Sequence, residues 1–384
     1  MKFNVQSKLL LTRLNAVSKV VSNKNAYAIL DNFLFELQSD RLIVTGSDME
    51  IRLTTNIEVQ NVEGSGKFAL DVKRTINSLK ELPDTALTFE INDETLAVKV
   101  TYLNGYYDAM ALNGDEFPEK AATANDVRKF TLPAKSIAAG IGHTLFAVGN
   151  DEMHPQFSGI FWDIMGDKIV YVASDSHKLV RYRQTDVTPN FERQFILPTK
   201  PAAILASIID RNSDEPVNIT VDENSATFEN ADYELSCRFI NGRYPKYDSV
   251  IPEDNPYTMA VDRQTLLNAV RRVAVFANVG GLVRLDLQPT QVKLTAQDVD
   301  HSTSAEETIA CEYNGEPMNI GFKSADVIDV VTNIDCDGIL LKLLDPARAG
   351  VFLPAVYHSV NVSLPLASLS YSLRMSSKIL IFTP

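Results

Sequence analysis

The strongest constraint on the fold of this chain is a threefold internal repeat. A Ser-Asp or Gln-Asp pair occurs at Ser47-Asp48, Ser174-Asp175 and Gln297-Asp298, and each aspartate is followed 25 residues later by a lysine. These lysines are Lys73, Lys200 and Lys323. Because the spacing is kept while the intervening sequence differs, the pattern predicts one structural unit of about 125 residues that is used three times.

Each copy opens with an extended segment and then a run with the helical period. Offsets of four, three and four residues between apolar positions are typical of one helix face. The three faces are Leu10, Leu14, Val17 and Val21, then Ile137, Ile141, Thr144 and Val148, then Leu266, Val270, Val273 and Ala277.

Alternating apolar segments follow each first helix and flank a short polar turn, which predicts a β-hairpin in every copy. The turns are Ser39-Asp40, Gly166-Asp167 and Pro289-Thr290. A second helical run then begins near each repeated lysine, over residues 73–82, 200–209 and 323–334. Helices with one apolar face need a sheet to cover, so the fold predicted is α+β, with two helices per copy packed on antiparallel sheets.

Three domains fit both the repeat and the length of 384 residues. We predict a first domain over 1–127, a second over 128–255 and a third over 256–384, with residues 356–384 as an atypical tail. We refer to these three segments as the first, second and third copies.

Composition narrows the class of protein. No apolar run approaches the roughly 20 residues of a membrane-spanning helix, so a soluble cytoplasmic protein is expected. The cysteines are odd in number and lack CxxC spacing, which argues against a disulfide scaffold and a zinc site. They are Cys237, Cys311 and Cys336. Nothing in the sequence calls for a cofactor or a metal.

The formal net charge of −13 argues against a polyanionic partner, but the charge is unevenly distributed. Residues 6–30 and 263–285, which contain first helices, hold four basic residues each and no acidic residue. A basic helical layer on an otherwise acidic protein suits contact with phosphates. Ordinary solvation of helix faces explains the same pattern, so composition leaves both interpretations open.

The sequence does not favour an enzyme. The segment Ser174-Asp175-Ser176-His177 holds the side chains of a hydrolase triad, but neighbours on an extended chain point to opposite faces. The motifs GxSxG, HExxH and GxGxxG and the P-loop are absent from the sequence. Because the repeated aspartates Asp48, Asp175 and Asp298 occur in every copy, we expect them to stabilise a turn or strand end.

Four segments, taken in order, resemble the bacterial sliding clamp family, the beta subunit of the replicative DNA polymerase. They are Met1-Lys2-Phe3, Ile29-Leu30-Asp31-Asn32, Ser174-Asp175-Ser176-His177-Lys178-Leu179 and Asn241-Gly242-Arg243-Tyr244-Pro245. The resemblance implies three similar domains per chain and a homodimer whose two chains close head to tail around duplex DNA. It implies helices lining the hole, sheets forming the outer wall, and a non-catalytic processivity factor for DNA replication.

Two sets of site residues follow from the resemblance and from the helix positions. The residues expected to face DNA, without sequence preference, are Lys24, Lys73, Arg74, Lys80, Lys200, Arg271 and Arg272. The family also implies a pocket for short peptide motifs of the polymerase, the clamp loader and repair proteins. Its expected walls are Phe157, Ser174, Ser176, His177, Lys178, Leu179, Pro245 and Val250.

The end of the chain departs from the family. Clamps finish with a short C-terminal strand, whereas residues 357–384 here contain no acidic residue and end in Ile379-Leu380-Ile381-Phe382-Thr383-Pro384. We therefore expect a third domain that lacks a strand, a pocket that lacks a wall and a weakened ring interface. Two alternatives stay open: a repeat scaffold that does not bind DNA, and a clamp disabled by its tail.

Overall fold

A computed structural model describes residues 1–22, 25, 27–120, 126–151 and 153–355, and the backbone of 378–382. Within these residues there are six α-helices, and every strand pairing is antiparallel. The predicted α+β fold, with two helices per copy on antiparallel sheets, is confirmed. In the part of the chain described, no helix has the length and apolar character to cross a membrane.

The first copy contains helices α1 (Ser7–Val17) and α2 (Val72–Lys80). Its strands are β1 (Lys2–Gln6), β2 (Asn32–Leu37), β3 (Arg41–Ser47), β4 (Ile51–Glu58), β5 (Gln60–Glu63), β6 (Gly66–Asp71), β7 (Ala86–Ile91), β8 (Ala97–Tyr102), β9 (Gly105–Met110) and β10 (Leu112–Asn113).

The second copy contains helices α3 (Ala134–Gly142) and α4 (Thr199–Ile208). Its strands are β11 (Arg128–Pro133), β12 (Gly159–Met165), β13 (Lys168–Ser174), β14 (Lys178–Gln184), β15 (Arg193–Pro198), β16 (Pro216–Val221), β17 (Ser225–Glu229) and β18 (Tyr233–Arg238).

The third copy contains helices α5 (Arg263–Ala274) and α6 (Ser324–Thr332). Its strands are β19 (Tyr257–Asp262), β20 (Leu282–Gln288), β21 (Gln291–Asp298), β22 (Thr303–Ala310), β23 (Glu312–Tyr313), β24 (Met318–Lys323), β25 (Gly338–Leu343), β26 (Gly350–Ala355) and β27 (Lys378–Phe382).

The chain forms two compact units, which cut across the copies. The first unit is Met1–Ala138 with Lys200–Phe239, and the second is Ala139–Thr199 with Ile240–Pro384. Each unit holds two sheets. Those of the first unit run β5-β1-β7-β8-β9 and β10-β6-β2-β3-β4-β18-β17-β16-β11. Those of the second run β15-β12-β13-β14-β27-β26-β25-β19-β23 and β22-β21-β20-β24. The domain boundaries at 127 and 255 stay a prediction.

The first helix of each copy buries the face that the sequence predicts. Leu10, Leu14 and Val17 of α1 are fully buried. Their counterparts in the second and third copies are at most 1% exposed. The last position of each predicted face lies beyond the helix end and is only partly buried. The three predicted hairpins are also present, as β2–β3, β12–β13 and β20–β21.

The repeated Ser-Asp pair forms a turn, as predicted. Ser47 Oγ donates to the carbonyl oxygen of Ile51 at 3.0 Å, and Asp48 Oδ1 accepts from the N–H of Ile51 at 2.8 Å. Ser174 and Asp175 make the same bonds one copy later. The pair is therefore kept because its side chains close the turn between two strands.

In the first unit, the repeated lysine of the second copy binds the repeated aspartate of the first. Lys200 Nζ lies 2.6 Å from Asp48 Oδ2 and donates to the carbonyl oxygen of Val20 at 2.6 Å. This bond joins segments 152 residues apart in sequence. The amine of Lys200 thus has a structural role.

In the second unit, Lys178 makes a buried ion-pair cluster. Its side chain is 9% exposed, and its Nζ lies 2.6 Å from Asp175 Oδ2 and 2.9 Å from Asp326 Oδ1. Asp326, on α6, is 7% exposed. The cluster fixes the end of β14 to a helix of the third copy.

The expectation that the third copy lacks a strand is wrong, because the backbone of Lys378–Phe382 forms one. Strand β27 pairs with β14 through Leu179↔Ile381 and with β26 through Val351↔Ile381. It therefore occupies the position that β18 holds beside β4. Residues 356–377, the rest of the atypical tail before this strand, lie outside the described residues.

We expect Lys178→Met to lower the free energy of unfolding by about 3 kcal/mol at neutral pH, because it leaves buried carboxylates without their cation. Urea unfolding followed by circular dichroism measures the loss. Lys135→Met, which breaks an exposed ion pair with Asp214, is the matched control and costs about 1 kcal/mol or less. Equal losses in the two variants would contradict a buried cluster.

The same difference depends on pH. Burial raises the pKa of Asp175, but hydrogen bonds from the Lys178 amine and from backbone N–H groups outweigh burial and lower it below 3.8. The contribution of this carboxylate is therefore present above pH 3.8 and is lost as the pH falls through the lower folded pKa. Wild type and Lys178→Met should converge in acid.

Candidate peptide groove and basic helix faces

An apolar cluster in the second unit contains or borders the residues predicted to bind peptides. Leu179 of β14 is 9% exposed and packs in this cluster, and Phe157 lies partly buried against it. Four further aliphatic members come from β25 and β26 of the third copy. They are Leu340, Val351, Leu353 and Ala355.

Two polar bonds anchor the loop that follows the Tyr244-Pro245 motif. Tyr247 donates its hydroxyl to Asp163 Oδ2 at 2.8 Å, and Arg181 Nη1 lies 2.5 Å from Asp248 Oδ1. Burial raises the pKa of Tyr247, so the hydroxyl stays protonated and keeps donating. These two bonds hold the loop beside the apolar cluster.

The eight predicted peptide-binding residues fall into two groups. Those that line or border the interior are Phe157, Ser174, Lys178 and Leu179. The exposed ones are Ser176, His177, Pro245 and Val250. The amine of Lys178 is bound in its ion-pair cluster, so it supports the strand end beside the apolar cluster. Their role in peptide binding stays a prediction.

Sequence reasoning missed several members of the cluster. Tyr244 stacks on Phe161 with ring centroids 4.6 Å apart and meets Phe157 edge to face at 5.8 Å. Tyr244 belongs to the motif that carried the resemblance, and that motif is the signal by which it could have been found. The alternation of apolar residues in β26 gave a weaker signal for Val351 and Leu353.

Helix α2 carries three of the predicted DNA-facing residues on its exposed side. Lys73, Arg74 and Lys80 are exposed, whereas Val72 and Leu79 face the core. Among the described residues, no carboxylate lies within 4.0 Å of these three cations. They are available to phosphates.

The remaining basic residues are more constrained. Arg272 on α5 makes a bidentate pair with Glu307, through Nε to Oε2 at 2.9 Å and Nη2 to Oε1 at 2.5 Å. Its neighbour Arg271 is exposed and reaches Thr332 Oγ1 at 3.4 Å. Lys200 is held by Asp48, as described above. Lys24 lies outside the described residues.

Groups of histidine, cysteine, aspartate and glutamate suited to hold a metal ion were not found among the described residues. Cys237 is fully enclosed, and burial raises the pKa of its thiol to about 12. Burial likewise raises the pKa of Cys311 to about 11. Both thiols are therefore poor nucleophiles and poor metal ligands at neutral pH.

Three family models match successive parts of the chain. The N-terminal domain of the DNA polymerase III beta subunit matches residues 1–121, the central domain 131–246 and the C-terminal domain 248–364. The beta sliding clamp of Synechococcus elongatus is 31% identical over 351 residues, covering 89% of this chain and 92% of that protein. That of Haemophilus influenzae is 26% identical over 349 residues, covering 90% and 93%.

Solved structures share the fold. A sliding clamp (DNA polymerase III subunit beta) from Pseudomonas aeruginosa, bound to griselimycin, superposes with a TM-score of 0.89 at 21% identity, covering 100% of this chain and 99% of that one. A DNA polymerase sliding clamp from Bacillus subtilis gives 0.89 at 21% identity, covering 100% and 98%. The repeat, the fold and the three successive matches agree, and the chain belongs to the bacterial sliding clamp family, the beta subunit of DNA polymerase III.

Proposed function

We propose that two copies of this chain close head to tail into a ring around duplex DNA and hold the replicative polymerase on its template. The ring acts without catalysis, in the cytoplasm with the bacterial chromosome. Membership of the clamp family supports the processivity role, and the strand edges described next support the ring.

The proposal rests on two edge strands. The strands that correspond to them in other copies of the repeat pair with each other within the chain. In the first unit, β4 of the first copy pairs with β18 of the second. In the repeat, β22 of the third copy corresponds to β4, and β9 of the first copy corresponds to β18. Both β22 and β9 lie at the edges of their sheets. Each would find its partner in a second chain, and closure would leave neither edge open.

An exposed aromatic side chain supports the same interface. Phe276, just after α5, is 41% exposed, whereas its counterparts Val20 and Ala147 are fully buried. Ala147 is buried in a cluster with Val327 and Val330 of the following copy. The third copy has no following copy in its own chain, so Phe276 would be covered by the first copy of a second chain. Tyr106 on β9, 59% exposed, offers apolar surface there.

Contact with DNA would use phosphates alone. The exposed cations of α2, with Arg271 of α5, supply charge without any arrangement for reading bases. A ring bound in this way can slide while it stays linked to the duplex. Partners would be held by short peptide motifs docking on the apolar cluster around Leu179, Tyr244 and Leu353.

The alternatives make different predictions. A repeat scaffold without DNA binding would show no salt-dependent retention of duplex DNA. A clamp disabled by its tail would bind DNA weakly and remain monomeric. The pairing of β27 with β14 and β26 favours an intact nine-stranded sheet in the second unit over this last alternative.

We expect Phe276→Asp to shift the solution mass from that of two chains to that of one, because a carboxylate cannot be desolvated in an apolar interface. Light scattering after size exclusion measures the mass. Met153→Asp, at a side chain 83% exposed and remote from both edges in sequence, is the control and should leave the dimer intact. A wild-type monomer would contradict the ring.

We expect Arg74→Glu combined with Lys80→Glu to weaken binding to a fluorescent duplex and to reduce the slope of log affinity against log salt by about two. Anisotropy titrations between low and physiological salt measure both quantities. Lys168→Glu, at the first residue of β13, is the control. Unchanged salt dependence in the double variant would contradict phosphate contact by α2.

A further inference from the structure

The first unit contains a cavity that repeats the position of the predicted peptide groove. Its volume is about 140 Å³. The first and second copies are offset by 127 residues, so each of the eight predicted peptide-binding residues has a counterpart 127 positions earlier. Six of these eight counterparts line the cavity. They are Ser47, Met49, Glu50, Ile51, Arg52 and Pro118.

The backbone at the two positions is also the same. Met49 has a φ of 80° and its counterpart Ser176 a φ of 74°, both in the left-handed region. The N–H of Met49 donates to Ser47 Oγ at 3.2 Å, and that of Ser176 donates to Ser174 Oγ at 3.1 Å. The chain therefore builds one strand-end turn twice and surrounds it with different side chains.

The chemistry of the two positions differs. Where the groove of the second unit has Leu179 among aliphatic side chains, the cavity of the first unit has Arg52. The opposite wall, from β16, β17 and β18, is rich in hydroxyl groups. It includes Thr220, Ser225, Thr227 and Ser236.

Arg52 is a partly buried cation with spare donors. Its Nη1 donates to the carbonyl oxygen of Pro118 at 2.7 Å, and its guanidinium lies 5.7 Å from the ring of Phe117. Burial lowers the pKa of Arg52 against the attraction of Glu36 and Glu234. No carboxylate of the described residues is within 4.0 Å of it. An anion entering the cavity would meet an arginine that lacks a close counter-ion.

Three glutamates around Arg52 are paired with other cations. Glu36 pairs with Lys67 at 3.1 Å, and Glu234 pairs with Lys120 at 2.6 Å. Glu50 lies 3.8 Å from Arg238. Glu119, which also lines the cavity, is exposed and therefore screened by water. The opposite wall also holds the buried carboxylate of Asp222, whose charge is stabilised by the N–H groups of Asn224 and Ser225 and by the Ser225 hydroxyl. Of the lining cations described, Arg52 is the one with no carboxylate within 4.0 Å, so an incoming carboxylate would bind there.

We propose that this cavity binds one acidic side chain, aspartate or glutamate, of a partner peptide lying across the strand end of the first copy. Its volume is close to the roughly 150 Å³ that holds a benzene molecule, which suits a single side chain. Arg52 would donate to the carboxylate, and a hydroxyl group of Thr227 or Ser236 on the opposite wall would donate to its remaining lone pairs. The proposal relies on the proposed function only in taking the ligand to be a peptide.

The test uses the full chain with methionine methyl groups labelled with carbon-13, because Met49 lines the cavity and reports occupancy. The probes are N-acetylglutamate N-methylamide, the corresponding glutamine compound and free glutarate. We expect a saturable shift of the Met49 methyl signal with the glutamate compound. The glutamine compound should bind about tenfold more weakly or worse, since it cannot make a charged hydrogen bond.

Two variants and one control separate binding from folding. Arg52→Gln should reduce the affinity about tenfold or more. Ser236→Leu keeps Arg52 but fills the cavity, and should also abolish binding. Arg41→Gln, at an exposed arginine on β3, should change nothing. The signals of the other methionines report whether each variant is folded.

Several results would overturn the proposal. These are the absence of a Met49 shift, equal binding of the glutamate and glutamine compounds, or unchanged binding in folded Arg52→Gln. Tighter binding of glutarate than of the blocked amino acid would assign the cavity to a free dicarboxylic acid. Failure of apolar peptides to bind near Leu179 would contradict the proposed function and leave this cavity unaffected.

Discussion

Edge-to-edge pairing of strands from successive copies is the interaction on which the rest of the structure depends. Strand β4 pairs with β18, with Leu53 opposite Leu235, and this pairing joins the first and second copies in one sheet. Strands β14 and β27 do the same for the second and third copies. Since backbone bonds cannot be left unpaired without cost, each copy needs a neighbour on one side. A chain with three copies thus ends in two open edges, and the proposed ring is the arrangement that pairs them.

The junctions are built on one backbone plan but use different side chains. Between the first two copies, Lys200 binds Asp48, whereas between the last two Lys178 binds Asp175 and Asp326. The cavity beside Arg52 and the apolar cluster beside Leu179 differ in the same way. Repetition preserves what the backbone requires, namely the turn and the strand pairing, while the surface beside each turn is free to change. One chain can in this way present two chemically distinct grooves.

The sequence predicted the fold well because its strongest signals are those that the backbone requires. The face of α1, with Leu10, Leu14 and Val17, and the turn at Asp48 were predicted from period and spacing. The roles of single charged residues were harder to predict, because a cation looks the same in a sequence whether it faces solvent or an acid. Lys200 and Arg272 are predicted to face DNA, a role that stays a prediction, and the structure adds ion pairs with Asp48 and Glu307 that the sequence did not indicate. The strand Lys378–Phe382 was missed because its composition differs from that of the family.

Covalent capture of the proposed ring interface is the most direct test. The pairing Glu234↔Thr54 within the first unit corresponds, in the repeat, to Tyr106 of one chain opposite Glu306 of another. A chain carrying Tyr106→Cys and Glu306→Cys should form a covalent dimer with a short bifunctional thiol reagent, and neither single variant should do so. Mass spectrometry of the cross-linked peptides reads the register. Failure of capture, or more efficient capture when Ser304→Cys replaces Glu306→Cys, would contradict the account.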